Sequence, residues 1–382
     1  NKHRMLFDHL LNKYDKCMHM INKEFGDNND GIYYTDNDWF IFIKLNNNIK
    51  CLHNNIINYK HYCISHFRYS QIYKINTNTN SNAICSKNEN TKKWNLGAML
   101  NNYYFSHFHV HSKLNVYVLD GTVNLNHEEF SHIKTKVQLG GETGIGNHAT
   151  FVAGVIVGKT IGVIRDPNIE LYTYTVCSNE NHCFEDQIWN GIIAVKKHLK
   201  ESRQRGVINL SFGGYCDYTC GKYDSIFEEI LSLGGIIVSA SGNNDGDACM
   251  FEPGGSSKVI DVGNYDSQWT RAYNSNYGDC IDTWAPGYRI YSSFWNGYGW
   301  MSGTSMSAPA ISGLVGAMLL IQESITLDGI KQILKCNNCS YTREIMDAKS
   351  KNKYAFSYNC NQIESIFYGT QNTDNETKLK LS

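Results

Sequence analysis

Residues 303–309 (GTSMSAP) run directly into an apolar segment and constrain the fold more than any other stretch. Apolar residues recur at helical spacing over residues 310–321, which predicts a helix with Pro309 in its first turn, where a missing N–H costs nothing. Ser305 is then expected at the helix N-terminus. Free backbone N–H groups and the positive end of the helix dipole meet there, so an oxyanion forming beside the Ser305 hydroxyl would be stabilised. An isolated serine at this position would more often only cap the helix.

Polar residues also follow or begin predicted elements upstream. Asp120 ends the β-branched and aromatic run at residues 114–119 (LNVYVL), and the carboxyl end of a buried parallel strand is where open α/β sheets place active sites. His148 lies at the start of a predicted helix, and Asn243 follows a predicted strand. An aspartate at a strand end is more often a turn former and a histidine at a helix start is more often a cap, so their joint order carries the argument.

The sequences around these residues resemble the subtilisin-like (S8) serine proteases, most closely the proteinase K-like branch. The resemblance covers residues 94–345. HATFVAG at residues 148–154 resembles the family's HGTHVAG, SASGN at residues 239–243 resembles its AAGN, and NLSFGG at residues 209–214 resembles its substrate-binding strand. GTSMSAP at residues 303–309, with the apolar helix behind it, resembles the family's nucleophile motif.

This resemblance implies a serine endopeptidase that cleaves protein or peptide substrates through an acyl-enzyme. His148 would take the proton of Ser305, and Asp120 would orient the imidazole. Asn243 would donate its amide to the oxyanion. An extended substrate would pair with the backbone of Ser211, Phe212, Gly213 and Gly214.

Two departures from the family pattern weaken that expectation. The family writes Asp-Thr-Gly or Asp-Ser-Gly, whereas this chain has Asp120-Gly121-Thr122, which displaces the hydroxyl that supports the carboxylate. Where the family has a glycine after its catalytic histidine, this chain has Ala149. Where the family has its second histidine, this chain has Phe151. The alternative is therefore a catalytically impaired subtilisin-like domain that acts as a secreted or cell-surface binding or adhesion module.

The fold class expected is α/β, a doubly wound and largely parallel sheet. Predicted strands (residues 169–176, 207–210, 236–240 and 259–262) alternate with predicted helices (residues 188–200 and 226–233), which is typical of βα units. The 382 residues allow one large domain of about 250 residues and something smaller. We expect a propeptide-like region over residues 1–90, a catalytic domain over residues 91–360 and a polar tail over residues 361–382.

The N-terminal region contains a strand candidate at residues 39–45 (WFIFIKL), a second apolar and aromatic stretch at residues 64–75, and a linker-like segment rich in Asn, Thr, Ser and Lys at residues 76–93. Composition alone is consistent with a disordered, Asn-rich extension. The family resemblance favours a propeptide, which would also be the enzyme's own inhibitor.

Composition bears on partners and compartment. A net charge of −1 argues against nucleic acid as a partner, and no apolar run reaches about 18 residues, so no transmembrane segment is predicted. The 13 cysteines include close pairs at residues 177/183, 216/220 and 336/339. A zinc site at the last pair lacks a second ligand pair, so disulfides, and with them the secretory pathway, the cell surface or the extracellular space, are favoured.

Two further expectations come from the resemblance alone. A disulfide is expected between Cys249 and Cys280. Catalysis requires no cofactor, but Asp282 matches an aspartate that binds a structural Ca²⁺ in proteinase K-like members together with backbone carbonyls near Ser257 and Val259. Asp282 as an ordinary surface residue is the alternative.

Overall fold

The structure, a computed structural model, describes residues 29–34, 39–45, 48–53, 85–87, 94–100, 103–106, 113–142, 144–179, 182–216, 220–336 and 341–357. Its contacts divide the chain into two compact units, Asn1–Ser81 and Asn82–Ser382. The sequence-based boundary at residue 90 differs from this division. The second apolar stretch at residues 64–75 and the tail at residues 361–382 lie outside the described residues, and the propeptide assignment stays a prediction.

The described part of the first unit is an antiparallel sheet in the order β1-β2-β3. Its strands are β1 (Asn29–Tyr34), β2 (Trp39–Leu45) and β3 (Asn48–His53). Trp39 pairs with Tyr34, and Leu45 pairs with Asn48, so each neighbouring pair of strands is antiparallel in consecutive chain order. The predicted strand at residues 39–45 is thereby confirmed as the central strand.

The second unit is built on a nine-stranded sheet. Its strands are β6 (Leu114–Asp120), β7 (Thr135–Gly140), β8 (Ile169–Thr175), β11 (Gly206–Leu210), β13 (Gly235–Ala240), β15 (Ile260–Tyr265), β16 (Thr283–Pro286), β19 (Thr342–Glu344) and β20 (Tyr354–Phe356). Their order is β19-β20-β16-β15-β13-β11-β6-β8-β7, and every neighbouring pair is parallel except β19 with β20. The chain winds to one side of β6 through β7 and β8 and then to the other through β11 and the later strands. The predicted doubly wound sheet is confirmed.

Helices cover both faces of this sheet. They are α1 (Trp94–Leu100), α2 (Asn147–Val157), α3 (Glu185–Ser202), α4 (Asp224–Ser232), α5 (Thr304–Ile321) and α6 (Leu327–Leu334), with short 3₁₀ turns at Glu128–Phe130 and Ala248–Met250. Side chains of β6 alternate between two cores because successive strand residues point to opposite faces. Val116 and Val118 pack with α2 and α5, whereas Tyr117 and Leu119 pack with α3 and α4.

The long apolar helix α5 lies inside the core. Among the described residues it is the one helix with the length and hydropathy of a membrane span, and nearly all of it is buried within the second unit. Its small residues permit this position. A Cβ added at Gly313 would lie 2.6 Å from the Val163 side chain, and one added at Gly316 would lie 3.0 Å from Leu114. The apolar composition of α5 is therefore explained by core packing.

Short strand pairs and disulfides complete the unit. The pairs are β4 (Cys85–Lys87) with β5 (Tyr103–Phe105), β9 (Cys177–Asn179) with β10 (His182–Cys183), β12 (Gly214–Tyr215) with β14 (Phe251–Glu252), and β17 (Ile290–Ser293) with β18 (Tyr298–Met301). Disulfides join Cys177 to Cys183, Cys216 to Cys220 and Cys249 to Cys280, and Cys336 is also disulfide-bonded. The disulfide prediction is confirmed, including the Cys249–Cys280 pair, whose Cα atoms are 5.2 Å apart.

Removing the Cys249–Cys280 disulfide is expected to lower the free energy of unfolding by about 3–4 kcal/mol, because the bond closes a loop of 31 residues in the unfolded chain. The double variant Cys249→Ala/Cys280→Ala should show this loss in chemical denaturation, measured on a Ser305→Ala background to prevent self-digestion. The matched control is Cys216→Ala/Cys220→Ala, whose cysteines are 4 residues apart. Chain entropy predicts a loss of only about 2 kcal/mol for that shorter loop. Equal losses for the two variants would contradict the loop-length explanation.

Candidate active site

The candidate catalytic, oxyanion and substrate-binding residues lie on strand ends and helix starts at the carboxyl edge of the nine-stranded sheet. Asp120 is the last residue of β6, Ser211 directly follows β11, and Asn243 lies in the loop that follows β13. Parallel strands bring their carboxyl ends to the same edge, and winding reverses around β6. The helices α2 and α5 approach this edge and carry His148 and Ser305 in their first turns.

Asp120 and His148 form a close, directed pair. The Nδ1 atom of His148 lies 2.9 Å from Oδ1 and 3.0 Å from Oδ2 of Asp120. The Asp120 side chain is 4% exposed, and that of His148 is 22% exposed. A carboxylate accepts hydrogen bonds, so the pair favours the tautomer with its proton on Nδ1 and leaves Nε2 basic. Ala149, the departure from the family glycine, has not displaced the imidazole from this carboxylate.

The transposed residues after Asp120 do not place a hydroxyl on its carboxylate. The Gly121 backbone N–H donates to Asp120 Oδ1 at 2.7 Å. The Thr122 hydroxyl instead lies 3.3 Å from both the Thr175 hydroxyl and the Glu142 carbonyl. Among the described residues, the carboxylate is therefore held by one backbone donor and the imidazole, as expected from the transposition.

Ser305 and Ser211 exchange two hydrogen bonds. The Ser305 hydroxyl donates to the Ser211 carbonyl at 2.9 Å, and the Ser211 hydroxyl donates to the Ser305 carbonyl at 2.9 Å. The prediction that Pro309 lies in the first turn is wrong, because α5 begins at Thr304 and Pro309 is its sixth residue. The missing N–H of Pro309 would have bonded the Ser305 carbonyl four residues back. The Ser211 hydroxyl supplies that donor instead.

A buried polar chain extends this contact into the core. Ser211 accepts a hydrogen bond from the Asn209 amide at 2.9 Å, and the Ser312 hydroxyl donates to Asn209 Oδ1 at 2.9 Å. Asn209 and Ser312 are fully buried, so each bond is worth more than it would be in water. No local sequence pattern indicates this role for either residue. These hydrogen bonds attach α5 to β11 and the residue after it at two places, Ser305 and Ser312.

The Asn243 side chain is oriented by the residue before the nucleophile. Its Oδ1 accepts hydrogen bonds from the Thr304 N–H at 2.9 Å and the Thr304 hydroxyl at 3.2 Å. With Oδ1 so occupied, the amide nitrogen remains as the donor available to a ligand. The first-turn N–H of Ser305 has no acceptor within the helix and is a second candidate donor. The role of Thr304 was missed, although its place within GTSMSAP was a signal.

Asn276 fastens the loop that carries Asn243. The buried Asn276 side chain donates to the Ser241 carbonyl at 2.7 Å and accepts from the N–H groups of Asn244 and Gly246 at 2.9 and 3.1 Å. Gly242 has a φ of 106°, and a Cβ there would lie 2.4 Å from the Asn276 amide nitrogen. Only glycine combines that backbone conformation with such a close approach. The loop that carries Asn243 is therefore held by Thr304 and by Asn276.

The segment expected to bind substrate presents unpaired backbone. Phe212 is half-buried, whereas Gly213 and Gly214 are exposed. The N–H and C=O groups of Phe212 and Gly213 make no hydrogen bond to other described residues, and the next residues, β12, pair with β14. A Cβ at Gly214 would meet nothing within 4 Å. An extended peptide could lie along this edge.

Asp282 does not fit a calcium site. Its carboxylate, 3% exposed, lies 2.9 Å from the Lys331 ammonium and 2.5 Å from the Lys335 ammonium. Among the described residues, no group of three or more His, Cys, Asp or Glu side chains is close enough to hold a metal ion. The adjacent Asp261 is fully buried, and burial followed by the Asp282 charge raises its pKa well above the usual range. Neither reading from the sequence, a calcium ligand or a surface residue, describes this buried charge cluster.

The comparisons with known proteins agree with this geometry. A model of the subtilase family (peptidase S8) matches residues 64–359. Cerevisin from Saccharomyces cerevisiae is 33% identical over 223 residues, covering 54% of this chain and 34% of cerevisin. Subtilisin-like protease 2 from Trichophyton verrucosum is 32% identical over 257 residues, covering 63% and 58% of the two chains. The chain thus spans between a third and three fifths of these relatives' lengths.

Solved structures give the same result. A cold adapted subtilisin-like serine proteinase matches with a TM-score of 0.57 at 27% identity, covering 65% of this chain and 89% of that one. Sphericase, with a TM-score of 0.55 at 23% identity, shows the likeness of the fold alone. The sheet order, the arrangement of its carboxyl edge and the family match over residues 64–359 lead to one conclusion: the chain belongs to the subtilase family.

Proposed function

We propose that this protein is a serine endopeptidase that hydrolyses peptide bonds in proteins or peptides through an acyl-enzyme. Asp120, His148 and Ser305 are its triad, and Asn243 is its oxyanion donor. The observation that carries the proposal is the pairing of His148 Nδ1 with both oxygens of Asp120, on the sheet edge that also presents Ser305. The alternative, an adhesion or binding module, has no comparable support, since the similar proteins include a subtilisin-like protease and a subtilisin-like serine proteinase.

The first chemical step follows from these contacts. An extended substrate that pairs with the Ser211 carbonyl competes with the Ser305 hydroxyl for that acceptor. The released hydroxyl gives its proton to His148 and attacks the scissile carbonyl, while Asp120 stabilises the imidazolium. Catalytic hydrogen bonds often form only in the substrate complex, so the resting Ser305–Ser211 bond is compatible with this step. The Asn243 amide and the Ser305 N–H would stabilise the oxyanion.

The direct test is labelling with a fluorophosphonate probe, which reacts only with an activated serine. Wild-type protein should be labelled at Ser305, located by mass spectrometry of the modified peptide, and Ser305→Ala should not be labelled. Cleavage of an unfolded protein substrate such as casein separates an endopeptidase from an esterase. Folded, fully processed protein that takes up no probe and cleaves no substrate would restore the binding-module alternative.

Restoring the family order at Asp120 is expected to raise kcat about two- to tenfold with little change in KM. The double change Gly121→Thr/Thr122→Gly adds one hydroxyl beside the carboxylate, worth about 0.5–1.5 kcal/mol as a net hydrogen bond. There is room for it, since a Cβ at Gly121 would lie 3.8 Å from the Ala149 Cβ and 3.9 Å from the Cys177 carbonyl.

Steady-state kinetics on a fluorogenic peptide measure this effect, and the single variant Thr122→Gly is the control. Thr122→Gly alone removes the contacts of Thr122 with Thr175 and Glu142 without adding a hydroxyl at position 121. It should not raise kcat. A fall in kcat for the double variant, with the fold intact by circular dichroism, would mean that the native Asp120 loop is already the better arrangement.

Maturation and location are part of the same proposal. The N-terminal unit would be a propeptide that inhibits the enzyme until it is cleaved, consistent with the separate compact unit at Asn1–Ser81. The disulfides favour passage through the secretory pathway, because such bonds persist in oxidising compartments. Mass spectrometry of secreted protein would locate the processing site.

A further inference from the structure

Asp282 is the centre of a charge cluster that joins the sheet to helix α6. Its backbone N–H donates to the Asp261 carbonyl at 2.9 Å, and its Oδ2 accepts from the Asp261 N–H at 2.9 Å. These two bonds fix the carboxylate at the start of β16. A buried carboxylate needs a positive partner, because removing it from water is otherwise too costly.

Two lysines at the C-terminal end of α6 supply that positive charge. Lys331 lies in the last turn and Lys335 is the capping residue that follows it, four residues later, so both side chains lie on one side of the helix end. The helix itself is held by the buried residues Ile330, Ile333 and Leu334 and is capped by the Thr326 side chain, which accepts from the Gly329 N–H. The Lys335 ammonium contacts Asp282 Oδ1, and the Lys331 ammonium contacts Asp282 Oδ2. The Lys331 side chain is 15% exposed, and the Lys335 side chain is 41% exposed.

The position of the Lys331 ammonium has a specific chemical meaning. It lies 2.9 Å from Asp282 Oδ2 and also 3.1 Å from the Ser257 carbonyl oxygen. A calcium ion bound to these same oxygens at about 2.3–2.6 Å would need the volume that the ammonium fills. Lys331 and a divalent ion at this position therefore exclude each other. Together, Lys331 and Lys335 carry the same charge of +2 as one such ion.

We propose that the position between Asp282 and the Ser257 carbonyl is a cation site filled by the chain's own lysines in place of a divalent metal. Lys331 is the occupant, and Lys335 supplies the second charge. The folded state is accordingly independent of calcium at this position. Removing both lysines frees the carboxylate, the carbonyl and the intervening volume, and converts the position into a divalent-metal site.

Thermal unfolding of full-length protein tests the proposal, on a Ser305→Ala background so that proteolysis plays no part. In protein that keeps Lys331 and Lys335, the midpoint of thermal unfolding should be the same within about 1 °C in EGTA and in millimolar calcium. Lys331→Ala/Lys335→Ala should unfold about 5–15 °C lower in EGTA, because Asp282 is left buried without a partner. Calcium at about 100 times its dissociation constant should then restore about 5–10 °C.

Matched variants separate this effect from a general loss of charge. Lys196→Ala/Lys200→Ala removes two lysines at the same spacing from α3, where Lys196 forms a half-exposed pair with Glu229. Its midpoint should change by no more than about 1–2 °C and should not respond to calcium. The single variant Lys335→Ala keeps Lys331 on Asp282 and Ser257, so it should fold and gain no calcium response.

Three results would overturn the proposal. The first is a calcium-dependent rise in the midpoint of protein with both lysines that is lost on Asp282→Asn. The second is a folded double variant whose midpoint does not respond to calcium. The third is a double variant that folds neither in EGTA nor in calcium while Lys335→Ala folds normally, since calcium could then not replace the lysines.

Discussion

Replacing Ser305 by alanine, or His148 by alanine, should lower kcat by about a millionfold. Triad members act as a unit, and this is the loss found for the corresponding residues of subtilisin. His148 Nδ1 lies 2.9 and 3.0 Å from the two Asp120 oxygens, so Asp120 acts on the reaction only through the imidazole. Without His148 or Ser305, the remaining members of the proposed triad cannot carry out the proton transfer. KM should change little, because these side chains act in the bond-breaking step and not in substrate binding. Steady-state kinetics with a fluorogenic peptide measures both constants.

The double variant is the sharper measurement. Ser305→Ala with His148→Ala should be no slower than either single variant, whereas two independent contributions would multiply. Ser324→Ala is the matched control, since it removes an exposed serine hydroxyl just past the other end of α5 and should leave kcat unchanged. Residual activity above about 1% in Ser305→Ala would contradict the assignment of the nucleophile.

Replacing Asn243 by alanine should lower kcat by about 100- to 1000-fold, or about 3–4 kcal/mol of transition-state stabilisation, the size found for the oxyanion asparagine of subtilisin. KM should stay near its original value, because the amide contacts an oxygen that is charged only during reaction. The bonds from Thr304 to Asn243 Oδ1 hold the amide in place beforehand, so little ordering is needed during the reaction.

Asn244→Ala is the control for this second prediction. Its side chain is exposed, while its backbone N–H is held by Asn276 in either variant. It should retain nearly full activity. A rise in KM with unchanged kcat for Asn243→Ala would instead mean that the amide binds the ground-state substrate.

Local patterns predicted much of the fold and of the site. The strand ending at Asp120 and the helix carrying Ser305 are short-range features, and a long motif brackets the nucleophile. The predicted disulfide between Cys249 and Cys280 and the absence of a Thr122 hydroxyl on Asp120 are confirmed as well. The strand and the helix follow from the apolar pattern of their own residues, whereas the disulfide was expected from the family resemblance alone.

Contacts between distant segments were not predictable in the same way. Lys331 and Lys335 lie about fifty residues beyond Asp282, and their spacing indicates only a shared helix face. The place of Pro309 depended on where α5 begins, and helix ends are less certain from sequence than helix existence. The link from Asn209 to Ser312 joins a strand to a helix about a hundred residues later. Such contacts are decided by packing between elements.

The proline in α5 also determines how the start of this helix is joined to the segment after β11. Since Pro309 has no N–H to donate to the Ser305 carbonyl, that carbonyl is held by the Ser211 hydroxyl instead of by the next turn of α5. The Ser305 hydroxyl and the backbone of the proposed substrate-binding segment are therefore joined directly by hydrogen bonds. A displacement of the segment after β11 would therefore be passed to the first turn of α5 through the two hydrogen bonds between Ser211 and Ser305.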